Sequence, residues 1–468
     1  MTHDDVAVSQ DVPAPTITRR HVASWALWDW GSAAFNAVVT TFVFTRWLTS
    51  DAFVDPATVA AADAEGSAGG PATSLIEQAV TTHSAWLGWG LTAAGLLIAV
   101  LAPVAGARSD DNGRRKRWLG IHTAVTVLIT AAMFLVTPDP RNLTQNLLLG
   151  IFLLSAGNIF FELASVNYNA TLSQVSTHKN VGRISGIGWG AGYLGGIVLL
   201  VILFVGFINP EVGWFGVTSA NGLNIRVAVL TAAVWFAVFA IPVLVAVPEV
   251  PASVGRARLG FLASYRQLFR DVRGLWRESR DTLRFLVASA VFRDGLAGVF
   301  TFGAVIASGT FGFTASGVIV FAIAANVVAG VATIVAGYLD DRVGPKAIIV
   351  ASLAGLLASG VMVFVLHDGG QGVFWVFGLL LCLFVGPAQS SSRTLLARLI
   401  PPGRESEIFG LYATTGRAAS FLAPLAFSTF IAVSRSQHWG IVGIMLVVAV
   451  GLGLLLPIRA GRRPLVNP

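Results

Sequence analysis

The chain has 468 residues, of which 55% are hydrophobic and only 12% charged, with a formal net charge of +7 and a mean hydropathy of +0.73. Soluble domains carry about a quarter charged residues, so this composition excludes an ordinary soluble domain and defines a polytopic membrane protein. The single cysteine, Cys382, excludes an internal disulfide and a cysteine metal cluster, and the basic excess reads as attraction to anionic lipid headgroups rather than to nucleic acid.

A bilayer core about 30 Å thick requires roughly 20 apolar residues per helix. Twelve such segments are predicted, near 25–48, 84–105, 117–137, 145–168, 185–207, 226–247, 283–308, 314–338, 346–366, 373–394, 408–432 and 438–458. The domain reading is a tail over 1–23, a six-helix bundle over 24–247, an Arg-rich linker over 248–282, a second bundle over 283–458 and a tail over 459–468. Basic residues cluster on one side of the predicted helices: Arg19 and Arg20, then Arg114, Arg115, Lys116 and Arg117, then Lys179 and Arg183, the linker, and Arg459, Arg462 and Arg463. Positive loops face the cytoplasm, which puts both termini there. Of the 31 basic residues three are Lys, and with the Ala, Gly and Val bias this favours a bacterial plasma (inner) membrane.

In helix one, Asp29, Ser32, Asn36 and Thr40 form a polar stripe at helical spacing. A carboxylate deep in a bilayer costs about 2.5–3.5 kcal/mol on insertion scales, so the stripe faces either a central cavity or, with Asp29 near the interface, solvent. The acidic, Ala- and Gly-rich segment 50–83 is expected to be a flexible connection outside the membrane. In helix four, Asn158, Glu162, Ser165 and Asn169 make a second polar face. Glu162 suits either an internal salt bridge or proton coupling.

Helix five carries two glycine series, Gly182, Gly186 and Gly190, and Gly188, Gly192 and Gly196, the small-residue spacing that lets membrane helices approach closely. In the linker, Arg266, Arg270, Arg273, Arg277, Arg280 and Arg284 recur at steps of four and three, as in an amphipathic helix on the membrane surface. Helix seven holds Arg293 and Asp294 near mid-membrane, and Asn326 in helix eight, Arg393 in helix ten and Arg417 in helix eleven add polar groups. No nucleotide loop, metal-ligand cluster or nucleophile elbow is found, so neither enzyme activity nor a cofactor nor a metal is expected.

Two turns share one pattern of Gly, three residues, Asp, two residues, Gly and a nearby basic residue. They are Gly106, Asp110, Gly113 and Arg114 after helix two, and Gly337, Asp341, Gly344 and Lys346 after helix eight. Twelve helices with this doubled turn resemble the major facilitator superfamily. Asp29-Trp30, Tyr168-Asn169-Ala170, Asp294-Gly295, Ser392-Arg393-Thr394 with Ile400-Pro401, and Phe409-Gly410-Leu411-Tyr412 look like its vacuole-effluxer branch, over about residues 24–430. The branch more often has Tyr-Asp-Trp-Ala-Asn-Ser where this chain has Trp28-Asp29-Trp30-Gly31-Ser32-Ala33, Pro where it has Ser173, and an uncharged polar residue at Arg293.

The resemblance implies an all-α fold of two pseudo-symmetric six-helix bundles that alternate access to a solute site between them, and amino-acid efflux as in the fungal members. Asp29, Asn36, Glu162, Asn169, Arg293, Asp294 and Asn326 are then the candidate solute and proton-coupling residues, and the two signature turns a conformational latch. The partners implied are lipid, a small solute and protons. A proton-driven drug or metabolite exporter, and a non-transporting receptor or scaffold, are the competing expectations.

Overall fold

The computed structural model describes residues 18–65, 71–111, 115–175, 181–247, 279–399 and 405–458, with scattered residues between 263 and 277. Helix 1 is Arg19–Ala34, continued by the π-helical Phe35–Phe42 and by Phe44–Leu48. Helices 2 to 6 are Pro71–Asp111, Arg115–Ala132, Leu143–Ala170, Val181–Leu203 and Leu223–Ala246. Helices 7 to 9 are Arg280–Gly309, Ala315–Val343 and Pro345–Val365; helix 10 is Gly370–Val373, the π-helical Phe374–Gly378 and Leu379–Leu399. Helix 11 comes in two pieces, Glu405–Ala418 and Leu422–Ser434, and helix 12 is Trp439–Leu455.

Among the described residues, ten helices are long and apolar enough to cross a membrane. Helix 1 is divided by its π segment, and helix 12, at 17 residues, falls just below that length. Helices 1 to 6 pack mainly on one another, as do helices 7 to 12; the two groups meet along helix 2 with helix 11, helix 5 with helix 8, and helix 1 with helix 7.

Three elements differ from their sequence expectation. The segment outside helix 1 is not a loose connection: Pro56–Glu65 is helical, and helix 2 begins at Pro71. Alanine-rich sequence has little helix cost, and the Glu65 carboxylate accepts from the Ala72 and Thr73 N–H groups and from the Thr73 hydroxyl, each at 2.9 Å. That caps the start of a 41-residue helix, which at 1.5 Å per residue is roughly 60 Å long, about twice the bilayer core. Helix 11, expected to be continuous, is interrupted at 419–421. In helix 1 the widened π turn leaves carbonyls for side chains: the Thr40 and Thr41 hydroxyls donate to the Asn36 carbonyl at 2.8 and 2.7 Å, and Thr45 donates to Val39 at 2.9 Å.

The glycines of helix 5 divide by face. A side chain at Gly188 would meet Asp29 and Trp25, one at Gly195 would meet the Trp30 backbone, and one at Gly196 would touch Ala33 and Ala37, so this stripe is the seam with helix 1. Gly190, on the other stripe, has open space where a Cβ would stand. Helix 8 ends at Gly344, whose φ of +88° suits glycine, and Pro345 opens helix 9. Arg266, Arg270, Arg273 and Arg277 of the expected linker helix are described; most of that linker, with residues 1–17 and 459–468, lies outside the described residues.

Candidate functional site between the two helix groups

The polar residues of helices 1 and 4 are positioned by an aromatic stack. Tyr168 lies between Trp25 and Trp28, with ring centroids 4.6 and 4.2 Å away and interplanar angles of 9° and 22°. The Tyr168 hydroxyl donates to the Trp25 carbonyl at 3.1 Å, and the Trp28 indole donates to the Thr123 hydroxyl of helix 3 at 3.2 Å. The Trp28-Asp29-Trp30 and Tyr168-Asn169-Ala170 motifs are therefore two sides of one contact. It holds Asp29 against Gly188, within electrostatic reach of Tyr168 and of Arg393 from helix 10. Arg393 itself lies over the Trp189 ring of helix 5 at 4.6 Å, so this corner joins the two groups of helices.

Deeper in the same interface, Glu162 of helix 4 forms an ion pair with Arg417 of helix 11, both side chains largely buried at 12% and 24% exposure. Arg293 of helix 7 lies within Coulomb range of both. Its guanidinium sits 4.1 Å from the centroid of the Tyr412 ring and donates to the Tyr412 carbonyl at 3.4 Å. The Tyr412 hydroxyl in turn bonds Ser392.

Arg293 and its neighbour Asp294 straddle the break in helix 11. Phe421, at the start of the second piece, brings no capping side chain. Asp294, 7% exposed, supplies one from another helix, its carboxylate accepting from the Ala423 N–H at 2.5 Å. A carboxylate at the N–H end of the second piece matches its helix dipole, whereas Arg293 meets the first piece at Tyr412, six residues before its end. The adjacent charges that helical geometry turns to different faces thus reach two different pieces of the same neighbour.

The remaining sequence candidates are more dispersed. Asn36 is the one exposed position of helix 1 between Ser24 and Ser50. Asn169 is exposed at the end of helix 4, whereas Asn326 is buried and donates to the Ala322 carbonyl of its own helix at 2.8 Å. Of the signature turns, Gly113 and Arg114 lie outside the described residues; Gly106 and Asp110 are in helix 2 and Gly337 and Asp341 in helix 8, and no contacts of Gly106, Asp110 or Asp341 are described. Lys346 donates to the Leu456 and Ile458 carbonyls at 2.8 and 2.6 Å, and Lys116 to Val247 at 3.2 Å. Each lysine thus holds the end of the last helix in its own group.

On the face opposite the signature turns the groups also touch. Gln437 donates to the Ser84 hydroxyl at 2.8 Å, and Gly88 packs against Ser428. Gly95 lies against the backbone at the helix 11 break, where an added Cβ would stand 2.8 Å from the Phe421 Cα. Arg417, Arg393, Tyr412, Tyr168 and Trp189 were not among the candidates. The sequence signals for the two arginines were charges inside apolar runs, with no indication of which distant helix each would meet.

A helical membrane protein in two groups of six, with charged pairs crossing between them, has the architecture of a major facilitator transporter. The xylose transporter XylE from E. coli, solved in an inward open conformation, shares this fold at a TM-score of 0.61 and 14% identity, covering 93% of this chain and 94% of that one. The profile of the vacuole effluxer Atg22-like family matches residues 17–463, and the chain belongs to that family. The uncharacterized MFS-type transporter YxiO of Bacillus subtilis (strain 168) is 24% identical over 434 residues, covering 92% of this chain and 93% of that protein. Autophagy-related protein 22 of Yarrowia lipolytica is 23% identical over 344 residues, 66% of this chain; the match spans little more than half, 56%, of the fungal protein.

Proposed function

We infer that this protein is a proton-coupled secondary transporter that moves a small organic solute, amino acids being the first class to test, across a bacterial inner membrane with its basic face toward the cytoplasm. The observation that carries the reading is the Glu162–Arg417 ion pair, which ties helix 4 of one group to helix 11 of the other, with Arg293 beside it.

A buried ion pair is a weak source of stability but a strong registry element, because separating its partners leaves an uncompensated charge. In this reading a proton on Glu162 cancels its attraction for Arg417 and lets the groups move apart, and loss of the proton draws them together. Asp29, within electrostatic reach of Arg393 at the second cross-contact, acts in the same way in this reading. The Atg22 relationship supports efflux of amino acids, and the Arg-rich linker fits anionic headgroups on the cytoplasmic leaflet.

The test is flux in proteoliposomes under an imposed proton gradient. Glu162→Gln should abolish proton-driven uptake in protein that still purifies folded, with a lowered melting temperature because Arg417 is left uncompensated, and Glu162→Gln combined with Arg417→Gln should recover the stability without the flux. Full proton-driven flux in that variant would remove Glu162 from the coupling step.

A further inference from the structure

A groove lies where helix 7 begins beside the end of helix 12. Among the described residues Ser279, Arg280, Asp281, Arg284 and Pro457 line it, and it holds about 470 Å³, within the roughly 300–1,000 Å³ of ligand-sized clefts. Hydrogen bonds fix its floor. The Thr282 hydroxyl donates to the Leu399 carbonyl at 2.9 Å, so the Ser279 hydroxyl, 2.7 Å from it, donates to Thr282 and not into the groove. Arg280 and Arg284, one turn apart on one face of helix 7, are both exposed.

Asp281 is the opposing charge on the wall. Its ion pair with Arg284, at 3.4 Å, joins side chains that are 34% and 50% exposed; such surface pairs are weak, and an incoming anion can take the guanidinium. Lys346 adds a third cation, its ammonium holding the Leu456 and Ile458 carbonyls on either side of Pro457. Three cations against one carboxylate favour an anion, and guanidinium forks suit the oxygens of a phosphate.

Toward the membrane centre the surface turns apolar. Val287 continues the face of Arg280 and Arg284 and is exposed, as are Leu446, Val450 and Leu454 at steps of four on helix 12. On the linker side, the exposed Trp276 ring lies 5.8 Å from the Arg280 guanidinium, and Trp rings mark the headgroup level of a bilayer. Charge at the rim, an aromatic ring at the boundary and apolar stripes beneath fit a phosphate carrying acyl chains better than a free anion.

We propose that this groove binds an anionic phospholipid of the leaflet on the side of the basic turns, with Arg280 and Arg284 on its phosphate and its acyl chains along Val287 and the helix 12 stripe. The site would stand whatever solute the protein carries, so its failure leaves the transport reading untouched.

Purified full-length protein in neutral detergent is mixed with phosphatidylglycerol, with phosphatidylcholine of the same chains, or with inorganic phosphate at millimolar concentration, and bound lipid is counted by native mass spectrometry. Phosphatidylglycerol should be retained about tenfold more than phosphatidylcholine, on the scale of two basic contacts. Arg280→Gln with Arg284→Gln should remove that difference, whereas Arg19→Gln with Arg20→Gln, which takes the same charge from the same side, should keep it. Inorganic phosphate should not displace the lipid.

Equal retention of the two lipids, or the same loss in both double variants, overturns the proposal, and displacement by inorganic phosphate would make the groove a free-anion site instead. A photoactivatable phosphatidylglycerol tests the unaltered chain. Its crosslinks should fall near Val287 on helix 7 and near Val450 on helix 12, and crosslinks confined elsewhere overturn the assignment even if the Arg280 and Arg284 variant does not fold.

Discussion

Asp294 shows how one side chain can be indispensable to architecture before any transport step is considered. Its carboxylate serves the first N–H groups of the second piece of helix 11, which has no capping residue of its own. Replacing a capping Asp by Ala costs about 0.5–2 kcal/mol, while Asn caps nearly as well as Asp. Asp294→Ala should therefore lower the melting temperature by about one to two degrees and Asp294→Asn should not, measured by thermal unfolding in detergent. Loss of proton-driven flux in the stable Asn variant would then report on the charge itself. Equal melting temperatures for Ala and Asn would remove the capping role. Asp29, Glu162, Arg293 and Asp294 were legible in the sequence because charge inside an apolar run is conspicuous at single-residue resolution. Their partners were not, because Glu162 and Arg417 are on different helix groups and share no periodicity.

At the scale of elements, composition identified the helices well and their interruptions poorly. The apolar run of helix 11 continues through 419–421, and the break depends on Asp294 and on the close approach of Gly95, both contributed by other helices. The outer helix Pro56–Glu65 departs from expectation for the opposite reason: alanine and acidic residues suit a solvated helix as well as a linker, and the deciding contact is Glu65 on the start of helix 2. Those two backbone N–H groups hold the Glu65 carboxylate below the usual range. A depressed folded-state value means the cap is present above the ordinary Glu range near pH 4.3 and is lost as pH falls through the folded value. Amide exchange at Ala72 and Thr73 should accelerate as pH falls through that window, relative to the intrinsic exchange rate, and Glu65→Ala should show the fast rate at every pH. Exchange in that variant as slow as in the wild type would mean that the helix start is held by other contacts.

At the scale of the whole molecule, the doubled signature turn was enough to expect a duplicated transporter fold, because a repeat of helix, tight turn, basic residue and helix is written in consecutive residues. What it could not reveal is where its lysines go. Lys116 reaches the end of helix 6 and Lys346 the end of helix 12, so each fastens the last helix of a group to the third helix of the same group, and neither bridges the two. The peptide between 247 and 279 therefore joins two units that are each already tied shut. Covalent continuity is then dispensable: two polypeptides, 1–260 and 261–468, made together in one cell should assemble and support flux, and Lys346→Ala should impair the split pair more than the intact chain, as read by co-purification. A single gene for this protein would then secure equal numbers of two parts that recognise each other through their shared face.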